Sequence, residues 1–218
     1  ADAPAAAATA GHLEAALDVL TRDDDGRLLP PRRWQQARVE VAVTGPAATG
    51  QAAAEIDGTL AWLAEVTGVT FTRTGQPDAE LQVQLAKGAR PVAQLYTRPA
   101  DGAITRATAR WDPTHSHAAR WRWEELLHAA GPVGDYGPPG AVLATDQTAR
   151  SPSTFDAWLL AALYRPTDVP TGRRELAAAL TATAAGGPAP ALRPAAASAG
   201  ADADARTVAG THTEGARP

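Results

Sequence analysis

The chain has 218 residues, 44% of them hydrophobic, enough to bury one sizeable core and leave tails. Its formal charge of -4, with arginines interspersed among acidic residues, leaves no concentrated basic footprint and excludes nucleic acid as the expected partner. Cysteine is absent, so there is no disulfide framework, and no apolar run reaches the roughly 18 residues that a membrane span needs.

The opening ADAPAAAATA reads as the residues that follow signal-peptide cleavage, which predicts a secreted protein with a flexible leader over 1–10. Over 11–20, Leu13, Leu17 and Leu20 recur at helical spacing, and the turn Asp23-Asp24-Asp25-Gly26 follows. That acidic run lacks the remaining ligand positions of an EF-hand loop and is expected to be a solvated turn. Residues 11–29 thus form an N-terminal helix and turn.

Val39, Val41 and Val43 share one face of a strand, where the sheet is expected to begin. Ile56, Leu60, Leu63 and Val66 form the apolar stripe of a helix over 51–67, with Gly68 at its C-terminal cap. Strands are expected over 70–73 and 81–85, the second alternating Leu81, Val83 and Leu85 with glutamines. Residues 103–111 alternate less cleanly and are expected to be a strand at a sheet edge, where arginines reach water, ended by Asp112-Pro113.

The segment from Trp121 to Asp135 carries the chemistry. Residues four apart on a helix share a face, so Glu124 and His128 can point at one ion while Glu125 stands beside them. The same glutamates have a plainer reading, as acidic residues favoured by the dipole in the first half of a helix. His128 can equally be a hydrogen-bonded core histidine, His115 and His117 incidental surface residues, and Trp121, Trp123 and Trp158 core rather than cleft.

Set against the metzincin pattern H-E-x-x-H-x-x-G-x-x-H-D, the sequence matches at Glu125, His128, Gly131 and Asp135. Glu124 and Gly134 stand where the first and third histidines belong. Downstream, Ser153 to Tyr164 resembles the C-terminal helix of matrixin-type metzincins, and Leu143 falls where a Met-turn side chain is expected. With Leu163-Tyr164-Arg165-Pro166, these features make the chain from Pro31 to about Leu180 resemble the bacterial domain of unknown function 2927, a metzincin-like family with a substituted zinc helix.

The resemblance implies an α+β, zincin-type domain over 30–180: a twisted mixed sheet, an active-site-type helix and a C-terminal helix. It also implies a zinc site made of Glu124, His128 and Asp135, with Glu125 as general base. Two carboxylates in place of two imidazoles neutralise a metal and weaken its activation of water, so zinc is expected to be absent or weakly bound. The expected function is a degenerate peptidase that binds extended peptide along the sheet edge. An active zinc metallopeptidase and a structural envelope protein are the alternatives. Residues 181–218, dominated by Ala, Gly, Pro, Thr and Asp, are expected to be a disordered tail.

Overall fold

The computed structural model describes residues 10–23, 25–46, 48–146, 148–166, 170–185 and 210–211. The expected leader falls outside these residues, except that Ala10 opens the first helix, and so does most of the expected tail.

In chain order the elements are α1 (Ala10–Thr21), β1 (Arg33–Trp34), β2 (Arg38–Thr44), α2 (Gly50–Thr67), β3 (Thr70–Thr74), β4 (Leu81–Leu85), β5 (Val92–Thr97), β6 (Ala103–Trp111), α3 (Ala118–Ala129), α4 (Thr154–Tyr164), α5 (Arg173–Ala184) and β7 (Gly210–Thr211). The strands form one mixed sheet in the order β3-β2-β4-β6-β5-β7. The β2-β3, β2-β4 and β4-β6 pairs are parallel, and β5 runs antiparallel to β6.

The expected edge position of 103–111 is wrong. β6 is interior, with β5 along one side and, on the other, β1 at Ala103–Ile104 and β4 at Ala107–Trp111. The arginines misled because an interior strand can still point one face at water: Ala107, Ala109 and Trp111 are buried, and the alternating Arg106 and Arg110 are exposed. Strands β1, β5 and β7 are not expected from the sequence, and β7 lies within the expected disordered tail.

α2 forms where expected. Ile56, Leu60 and Leu63 line its buried stripe, each burial contributing about 1.5–3 kcal/mol. Gly68 closes the helix in the left-handed region at φ 76°, its N–H donating to the Ala64 carbonyl. α4 is apolar nearly all round and is correspondingly a buried central helix, packed against α2 and α5. Ser153 and Asp156 form a reciprocal capping box at its start. α5 carries ordered chain four residues past the expected boundary at Leu180, because Leu176 and Leu180 are fully buried against the rest of the core.

Candidate metal centre

α3 packs on β5 and β6 and supplies most of the site. Glu124, Glu125 and His128 are all buried, at 5%, 5% and 3% exposure. The two glutamates are the seventh and eighth residues of a twelve-residue helix, so the dipole explanation fails: its first turn holds no acidic residue. Carboxylates this far along an α-helix and out of water need partners.

Asp135 joins them through a sharp exit from α3. The Gly131 N–H donates to the His128 carbonyl, and Gly131 adopts φ 127°, where a Cβ would lie 2.1 Å from the Arg32 carbonyl oxygen. Only glycine fits, and the chain turns back under the helix. Glu124, His128 and Asp135 thereby each bring a ligand-type atom within 4.8 Å of the other two.

The protein's own cations already engage these carboxylates. Arg120, one turn before Glu124, holds it in a fully buried ion pair at 2.6 Å. His128 Nε2 faces Asp135 Oδ1 at 3.2 Å, and Nδ1 lies 3.1 Å from the Pro132 carbonyl oxygen. Burial alone would lower the His128 pKa. The hydrogen bond and charge of Asp135, with the charges of Glu125 and Glu124, outweigh it and push the value up to about 10. At neutral pH the ring is an imidazolium with both N–H groups directed at acceptors.

Two carboxylates and an imidazole are a chemically acceptable set for zinc. Glu124, His128 and Asp135 would hold the ion once Nε2 gives up its proton; Arg120 holds Oε1 of Glu124, so the ion would share that carboxylate with a guanidinium. Arg120 was missed in the sequence, although its spacing of four from Glu124 was readable there. It also lines a surface cleft of about 260 Å³ with His117 and Arg150.

The surroundings of Gly134 leave no room for the third histidine of the pattern. A Cβ at Gly134 would lie 2.3 Å from the Arg22 carbonyl oxygen and 2.6 Å from the Tyr136 ring. The end of α1 fills this space: the Val19 carbonyl accepts from Val133 N–H and Gly134 N–H, and Tyr136 Oη donates to the Asp23 carbonyl. Beneath the site, Tyr164 Oη donates to the Ala130 carbonyl and accepts from Trp34 N–H, while Trp34 Nε1 donates to the Ala129 carbonyl. The C-terminal end of α3 is thus fixed to β1 and α4.

The remaining candidates fall outside the cluster. His115 and His117 are exposed, His115 stacking on Trp121 at 4.1 Å between ring centroids. Trp121 and Trp158 are buried, and Trp123 meets Trp62 edge-on at 5.6 Å, so all three are core or packed against it. Leu143 is fully buried and its carbonyl accepts from Gly137 N–H. In the acidic turn, Asp23 Oδ1 accepts from Arg27 N–H.

No family model matches the chain, and no curated protein matches it. The resemblance to domain of unknown function 2927 is thus not confirmed by a family model. Two solved structures of myroilysin are similar to it. One has a TM-score of 0.34 at 17% identity, covering 47% of this chain and 52% of that one. The other has a TM-score of 0.44 at 12% identity, covering 62% and 86%. The match spans about half of the first structure, and likeness at this level assigns neither activity nor ligand.

Proposed function

We propose that this chain is a zincin-like, peptide-binding module that works without a catalytic metal. The observation that carries the reading is the buried Arg120–Glu124 ion pair, which places a fixed guanidinium on the carboxylate that would replace the first zinc-binding histidine. A positive charge held there repels an incoming dication and competes with it for the charge of the shared carboxylate. Extended peptide is the natural ligand class, because α3 stands on β5, the last long strand on its side of the sheet, and strand addition needs only main-chain groups.

A second reading, an active zinc peptidase with Glu125 as general base, is favoured by the convergence of Glu124, His128 and Asp135. One experiment separates them: zinc titration of chelator-stripped protein, beside binding of the same protein to an extended-peptide array. The module reading expects substoichiometric zinc, a gain of about tenfold or more in zinc affinity for Arg120→Ala, and peptide retention unchanged by chelator; a tenfold gain corresponds to about 1.4 kcal/mol. Stoichiometric zinc lost in His128→Ala, with cleavage of array peptides, would establish the peptidase instead. Retention of no peptide with or without zinc sinks both.

A further inference from the structure

β5 is the strand on which the site helix stands, with Ala93 and Leu95 buried and Gln94 half-buried. On its inner side it is satisfied by β6 through the register Val92↔Arg110 to Tyr96↔Arg106. Its outer side presents main-chain N–H and C=O groups that any extended segment can use. The chain itself uses them: Gly210–Thr211 pairs antiparallel there, Gln94 opposite Thr211 and Leu95 opposite Gly210.

The sequence gives that contact a reason. Among residues 186–218, the β-branched residues are Thr207, Val208, Thr211 and Thr213, all within seven positions; the rest is chiefly Ala, Gly, Pro, Asp and Arg. β-branched side chains suit a pleated strand and the surrounding composition does not. The strand-prone stretch therefore coincides with the segment that meets β5.

We infer that the outer edge of β5 is a strand-accepting surface that the chain masks with its own C-terminal segment at Gly210–Thr211, so that an extended peptide binds by displacing it. The peptide half of this inference rests on the function proposed above; the masking does not. Two register pairs make a short ladder, which a longer peptide strand can replace. Being covalently attached, the segment competes at an effective concentration on the order of millimolar for a linker that spans the gap. Peptide affinity is then set by how easily the cover leaves, as well as by the edge itself.

The test is the full chain against the double substitution Gly210→Pro with Thr211→Pro, which removes both N–H donors and prevents the ladder. Amide exchange over 92–97 reads the cover, and binding of a fluorescein-labelled peptide of residues 206–213 reads the edge. Masking expects faster exchange over 92–97 in the variant and peptide binding at least about tenfold tighter than to the unaltered chain. Unchanged exchange overturns the cover and leaves the proposed function standing. Faster exchange with equal peptide affinity for both proteins overturns masking. Binding to neither protein overturns masking and counts against the peptide-binding function as well.

Discussion

At His128, burial and neighbouring carboxylates act in opposite directions, and the carboxylates win. A folded-state pKa of about 10 lies above the unfolded value of about 6.5, so the charged ring favours the folded state. That contribution is complete below pH 6.5 and is lost as pH rises toward 10. Thermal or urea unfolding of the chelator-treated protein should show stability falling across this window, by on the order of a few kcal/mol in all. His128→Gln should remove that component of the slope, and equal slopes in the two proteins would show that the ring is not held as an imidazolium. Gly134 offers a second test. Placing the histidine of the metzincin pattern there with Gly134→His should yield no gain in zinc affinity and a loss of about 3 kcal/mol or more, because its Cβ meets the Arg22 backbone rather than a yielding side-chain tip. A stable variant that takes up zinc tightly would mean that the end of α1 moves aside.

Among the elements, those with strong periodicity were legible. α2 and β4 are legible through Ile56/Leu60/Leu63 and Leu81/Val83/Leu85, because each pattern reflects burial on one face, and the run from Ser153 to Tyr164 through its resemblance to a metzincin C-terminal helix. The cluster on α3 was legible as spacing, and Gly131 as a turn. The pairings that neutralise the cluster were not, since they depend on where Pro132 and Asp135 fall after the chain reverses. β5 is silent because its apolar residues fall on both faces, Val92 and Tyr96 on one and Ala93 and Leu95 on the other, so the alternation of burial does not show as an alternation of residue type. β1, only two residues long, carries no pattern, although Trp34 holds the end of α3. The element-scale prediction concerns that anchor. Tyr164→Phe leaves the buried Trp34 N–H and Ala130 carbonyl without the hydroxyl that serves both, at a cost of about 1–3 kcal/mol. Urea denaturation should show a lower midpoint at unchanged slope. An unchanged midpoint would mean that the hydroxyl's two bonds contribute no net stability.

Over the whole molecule, α1 and α5, the first and last helices, lie together. Arg173 joins them, reaching Asp18 at 2.8 Å, the Thr21 hydroxyl at 3.0 Å and Glu14 at 3.1 Å. These groups are partly solvated, so Arg173→Ala should lower global stability by no more than about 1 kcal/mol. It should still speed amide exchange over 10–21, as local opening reports contacts that the global transition hides. No change in α1 exchange would assign its docking to apolar packing alone. The same adjacency constrains the order in which the protein is made. Ala16, Leu17, Val19 and Leu20 are made before their partners: the carbonyl of Val19 waits for Val133 and Gly134, and the polar face of α1 waits for Arg173. At roughly 5–20 residues per second, more than a hundred further residues mean that α1 stands apolar and unpartnered for several seconds or more. During nascent-chain growth it is open to chaperone capture, and docking of α1 becomes a late event of folding.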